Sequence, residues 1–163
     1  MVDRAYQLDQ MMRELTGDNA DQLQKTADGR FVMHAARDSN VMVSVEALEE
    51  PARVVMQALI GSLSGPDSPR MARALLEVNA ASAIQGGPAI ALNDETDAIF
   101  TIRALPFETT VGTVLDANTL GVGIAAFIGQ SVDLFAAIKS GKVLDLAASQ
   151  DLAPEDFASM IKV

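Results

Sequence analysis

The residues that could do chemistry are few, and none has the company that chemistry needs. His34 is the single histidine and there is no cysteine. Thiolate nucleophiles, disulfides, Fe–S clusters and cysteine-type zinc sites are therefore excluded together. A lone imidazole with no second histidine assembles neither the usual zinc site nor a triad, so His34 reads as a structural or surface residue. Glu49 and Glu50 are adjacent and point to opposite faces of an extended chain, which makes them a solvated loop edge rather than an acid–base pair. Asp94, Glu95 and Asp97 lack the spacing and the terminal glutamate of an EF-hand and read as a charged hairpin tip. Gly86-Gly87-Pro88 lacks the lysine and hydroxyl of a phosphate loop, and its proline removes a backbone donor, so it reads as a turn. No catalytic residue, metal ligand or cofactor site is expected, and the chain is not read as an enzyme.

The elements that would position a site must be read against an acidic background. Twelve Lys and Arg against 22 Asp and Glu give 163 residues a net charge of −10. Such a surface repels phosphate backbones and anionic headgroups, so neither a nucleic-acid partner nor membrane insertion is expected. It also keeps a protein soluble while it displays apolar surface. The apolar fraction is 49% with only 4% aromatic residues, and it includes eight methionines, flexible side chains suited to irregular partners. The length fits one domain. Met1 to Gly17 has acidic residues and no apolar run of secretory-signal type. Thr119 to Ile138 is long and apolar enough to span a bilayer by length alone. Its Gln130, Ser131 and Asp133 and its helical periodicity fit a buried amphipathic helix better.

Val2, Ala5, Leu8, Met11, Met12 and Leu15 follow helical spacing, with Gly17 as a stop. Period-two patterning then predicts strands over Arg30–Ala36 and about Val41–Glu46, joined by a polar turn as a hairpin, and a third over Arg53–Leu59 after Pro51. Ser68 followed by Pro69 marks a helix start, and the helix runs to about Ser82 with Met71, Leu75, Val78 and Ser82 on one stripe. Ala89–Leu92 and Ala98–Leu105 form a second hairpin. A long helix capped by Asp116 carries Leu120, Ile124, Phe127, Ile128, Phe135 and Ile138 and stops at Gly141. Gly121 and Gly123 within it weaken the helix locally and make room for close packing of another backbone. A short helix is expected over Pro154–Ile161. Helices and antiparallel strands are segregated rather than alternating, so the fold class is α+β. The expected division is a domain over residues 1–141 and a C-terminal extension over residues 142–163.

The run Ala74-Leu75-Leu76-Glu77-Val78-Asn79-Ala80, then Gly86-Gly87-Pro88-Ala89-Ile90-Ala91-Leu92, an acidic hairpin tip and Ala98-Ile99-Phe100 resembles the Tir chaperone (CesT-like) family, the class I chaperones of bacterial type III secretion. Element order, size and acidity agree over about residues 1–140. The resemblance implies a cytoplasmic bacterial homodimer that binds the N-terminal region of a secreted effector, keeps it extended and secretion-competent, and consumes no ATP itself. It implies the secretion-system ATPase as a further partner. It places the middle helix at the dimer interface, here Met71, Ala74, Leu75, Val78 and Asn79. An effector segment adding to a sheet edge gains main-chain hydrogen bonds, and pockets for its side chains give selectivity. Leu8, Met11, Met12 and Leu15 of the first helix, with Phe31 and Met33, are the candidates to supply those pockets. Periodicity alone does not separate that exposed patch from core. The alternative is a non-catalytic domain that binds a small molecule between the sheet and the small residues of the last helix.

Overall fold

In the computed structural model the described residues are 3–17, 23–35 and 40–144. The elements are α1 (Arg4–Thr16), β1 (Gln24–Lys25), β2 (Phe31–His34), β3 (Met42–Leu48), β4 (Arg53–Ser62), α2 (Ser68–Ile84), β5 (Ala89–Asn93), β6 (Ala98–Pro106) and α3 (Ala117–Lys139). The strands form one antiparallel sheet in the order β1-β2-β3-β4-β6-β5. The α+β reading holds. The two hairpins turn out to be halves of a single sheet, because β6 rather than β5 pairs with β4. The short helix expected over Pro154–Ile161 lies outside the described residues.

Alternation along the strands builds the core. Val43 and Val45 of β3, Val54, Met56, Ala58 and Ile60 of β4, and Ile99 of β6 are buried. The helices α1 and α3 pack on the sheet through β3, β4 and β6 and on each other. The register slips by one residue between Leu59 and Gly61. The bulge brings Gly61 under α3, where a β-carbon would sit 3.4 Å from Ile138 Cγ2, so a bare backbone lets the helix end lie close. Val143, two residues beyond the expected domain limit at Gly141, is buried in the same core and Leu144 packs against it.

Local chemistry sets the helix ends. Asp3 accepts from the Tyr6 N–H at 3.0 Å to cap α1, and Asp116 accepts from the Thr119 N–H at 2.7 Å to cap α3. The start of α2 differs from expectation: Asp67 is the cap residue, with Pro69 in the first turn, and makes no side-chain cap bond. Ser68 instead donates its hydroxyl backward to Gly65 O at 2.7 Å, closing the preceding turn. Gly121 and Gly123 admit side chains rather than a second backbone. A β-carbon at either would stand 2.6 Å from Leu15 Cδ2 and 2.7 Å from Leu105 Cδ1 respectively. The last helix departs from full burial: its most apolar window has a mean hydropathy of 1.6 yet is only 17% buried. One face of α3 carries Leu120, Ile124, Phe127 and Ser131 into the core, while Val122, Ala125, Ala126 and Gly129 lie on the other side with little polar cover.

Candidate functional site

The residues first considered for chemistry all have structural positions. His34 is exposed on β2 opposite Met42 of β3. Glu49 accepts the Arg4 N–H at 3.0 Å and so helps to start α1. In the β5–β6 turn, Asn93 Oδ1 accepts from the N–H groups of Glu95 and Thr96 at 3.0 and 3.2 Å. Gly86 takes a positive φ of 68° at the end of α2, a conformation that other residues adopt at a cost. Among the described residues, no group of three His, Asp or Glu side chains comes together as a cation site.

The six residues expected to face a partner divide sharply. Leu8 and Met12 are 1% and 2% exposed, Met11 and Phe31 are also buried, and Met33 packs partly against the core. The reason is α1's seat on β3 and α3, which turns the helix's Met/Leu stripe inward. Only Leu15, lying against Gly121, keeps an exposed side chain.

The α2 residues divide in the same way. Ala74 and Leu75 are buried in the chain's own core, while Met71 and Val78 are half-buried. Asn79 has a role that spacing did not reveal: its Oδ1 accepts the Ile90 N–H at 2.8 Å. Three residues on, Ser82 donates its hydroxyl to Pro88 O at 2.8 Å. Together these bonds tie the outer edge of β5 to α2. The opposite face of α2 presents Leu76 at 65% and Ile84 at 84% exposure, with Ala80 and Ala83 between them.

Two further surfaces emerge. The sheet face turned away from α1 and α3 carries a cross-strand row in which His34 pairs with Met42, Met42 with Leu59, Leu59 with Phe100, and Phe100 with Ala91. Met42 and Leu59 are 44% and 46% exposed, and Leu48 is also exposed. The signal for this face was present in the strands, which place apolar residues at both parities. The second surface borders the β6–α3 connection, which folds over itself through a Glu108–Val114 bridge and lifts Val111 to 85% exposure. Beside it, a groove of about 380 Å³ runs between α1 and the connection, lined by Gln7, Met11, Glu14, Phe107, Leu115 and Asn118.

Electrostatics hold the open end of the sheet. Lys25 of β1 donates to Asp9 of α1 at 2.7 Å, and Arg13 also pairs with Asp9 at 2.9 Å. The Lys25 hydrogen bond is the main reason the Asp9 carboxyl titrates below its ordinary range. Thr26 donates to Asp28, whose carboxyl is lowered chiefly by that bond, and Arg30 bridges Asp28 and Glu46 at 3.0 Å each. Between the sheet and α3, Ile99, Phe127 and Ile124 fill the interior beside a buried hydroxyl pair, Thr101 and Ser131, at 2.7 Å.

A family model described as the Tir chaperone protein (CesT) family matches residues 19–134. No curated protein matches the sequence. Among solved structures, a chain of the HopA1–SchA chaperone–effector complex aligns with a TM-score of 0.61 at 16% identity, over 80% of this chain and 95% of that one. A chain of the ExsC–ExsE complex aligns with a TM-score of 0.61 at 14% identity, over 80% and 92%. The fold is thus shared with both, and the match over residues 19–134 means that the chain belongs to the Tir chaperone protein (CesT) family.

Proposed function

We propose that the protein is a type III secretion chaperone that binds the N-terminal region of a cognate effector in the bacterial cytoplasm and keeps it soluble, extended and ready for secretion, without a cofactor. The observation that carries this reading is the family match over residues 19–134, which covers the strands and α2 together. The surface chemistry is in keeping with it. The effector runs over the uncovered sheet face, where Met42, Leu59 and Leu48 offer adaptable apolar contacts. Leu15 and the groove beside α1 receive further side chains. The β1–β2 edge is the place for strand addition, since α2 occupies the other edge at Asn79 and Ser82.

The protein works as a homodimer through the outward stripe of α2, Leu76, Ala80, Ala83 and Ile84, with Met71 and Val78 at its border. The alanines let two helices approach closely. Leu75 and Ala74 serve the dimer only by holding α2 in place. The secretion-system ATPase is the partner that receives the loaded chaperone.

Pull-down with N-terminal fragments of secreted effectors encoded beside the gene is the test. Capture of one fragment that a Met42→Asp, Leu59→Asp variant no longer captures is the expected result. If the wild-type protein leaves every such fragment aggregated, the chaperone reading is wrong.

A further inference from the structure

The groove between α1 and the β6–α3 connection, about 380 Å³ in volume, has room for a long side chain and a lining of two kinds. Its floor is apolar: Met11, Phe107 and Ala117 are buried and Leu115 is half-buried. Its rim is polar and exposed, with Gln10 and Glu14 from α1 and Asp116 and Asn118 from the start of α3. An apolar trough rimmed by carboxylates matches the build of a basic side chain, an aliphatic stem with a charged head. Resting on the chaperone reading, we infer that the groove is the pocket for an arginine of the bound effector segment. Its stem lies over Met11, Phe107 and Leu115, and Glu14 and Asp116 hold its guanidinium.

Among the described residues, the cations leave both carboxylates open. Their ion pairs engage Asp9, Asp28, Glu46, Asp67 and Glu77, and neither Glu14 nor Asp116. Arg13, beside Glu14 in sequence, turns to Asp9 at 2.9 Å. Arg4 stands over the Phe107 ring, 5.0 Å from its centre, and donates to Gln7 Oε1 at 2.7 Å. Ten residues of α1 separate Arg4 from Glu14, about 15 Å at 1.5 Å per residue, which exceeds the screening length of about 10 Å at 0.1 M salt. The groove is thus polarised along α1, with Arg4 at the Gln7 end and Glu14 at the other.

The helix ends add to this preference. Glu14 lies in the last turn of α1, where unpaired carbonyls carry partial negative charge and a cation is favoured. The positive end of α3 is already met by Asp116, which accepts the Thr119 N–H at 2.7 Å. That bond is the main reason the Asp116 carboxyl titrates below its ordinary range. Arginine fits better than lysine. Two carboxylates and the amide oxygens of Gln10 and Asn118 offer several acceptors, and a guanidinium carries five donors in a planar fork.

The test uses N-acetyl-arginine amide and N-acetyl-citrulline amide, which has the same shape without the charge. Each is titrated into the isotope-labelled full chain while the amide shifts of Gln10, Glu14 and Asn118 are followed by NMR. Arginine should bind about fivefold more tightly than citrulline, the scale of two exposed ion pairs. Glu14→Gln with Asp116→Asn should abolish that preference, and asparagine caps a helix about as well as aspartate, so the fold is kept. Asp94→Asn with Glu95→Gln, in the exposed β5–β6 turn, removes the same charge elsewhere and should retain it. Equal binding of the two probes, or an equal loss in both variants, would overturn the inference. No effector enters this titration. A pull-down that captures nothing therefore strikes the chaperone reading without touching the groove's preference, and a failed titration strikes the arginine pocket alone.

Discussion

Single side chains carry two measurable consequences. Thr101 and Ser131 share one hydrogen bond at 2.7 Å in a site with no exposure. Thr101→Val keeps the shape but leaves the serine hydroxyl to its own helix, and should cost about 1–2 kcal/mol in urea unfolding. Adding Ser131→Ala should then recover part of that loss; strictly additive losses would mean the pair is not coupled. The second consequence is in acid. The Asp9 carboxyl, held below its ordinary value of about 3.9 by the Lys25 hydrogen bond, stabilises the fold fully above that value. The stabilisation is lost as pH falls through the lower folded-state value. Urea midpoints measured between pH 7 and pH 2 should therefore fall less on acidification for Asp9→Asn than for wild type, from a lower start at neutral pH. Identical pH profiles would show that Lys25 and Arg13 do not hold this carboxylate.

At the scale of elements, α2 illustrates what a pattern reveals and what it hides. Proline, the Gly86-Gly87 break and the capping aspartate before α3 made the existence of α2, both hairpins and α3 legible, because each is a local signal. The strand β1 was not legible: two residues carry no period, and only pairing with β2 defines it. Nor was the burial of Leu8, Met11, Met12 and Phe31, since which side of an amphipathic helix meets the sheet is a tertiary fact. Leu75 and Leu76 are neighbours in one motif, yet one is 2% and the other 65% exposed. They should behave oppositely. Leu75→Asp buries an unpaired charge and should unfold the protomer, with a loss of roughly several kcal/mol. Leu76→Asp with Ile84→Asp should keep the circular dichroism and melting of the wild type while halving the solution mass. A Leu75→Asp protein that stayed folded and became monomeric would return Leu75 to the interface.

For the whole molecule, the acidic balance and the apolar surface belong together. A net charge of −10 lets the protein carry Met42, Leu59, Leu76 and Ile84 in water because copies repel at long range. That repulsion is screened within about 10 Å at 0.1 M salt. Light scattering should give a mass near twice 17.2 kDa, with dimerisation strengthened rather than weakened by added salt. A dimer that dissociated as salt rose would be held by ion pairs, and the apolar α2 stripe would not be its interface.

The seal that Asn79 and Ser82 place on β5 also bears on how the protein avoids fibril growth. Stacking of sheets end to end needs a donor edge and an acceptor edge on every molecule. With the Pro88 and Ile90 end of the β5 edge engaged by α2, a strand joins there less readily than beside β1, and end-to-end growth is hindered. Asn79→Ala frees the Ile90 N–H and reopens the second edge, so it should convert a stable stock solution into one that gains thioflavin signal on storage. The bond that anchors β5 to α2 thus also limits growth of the sheet beyond the molecule.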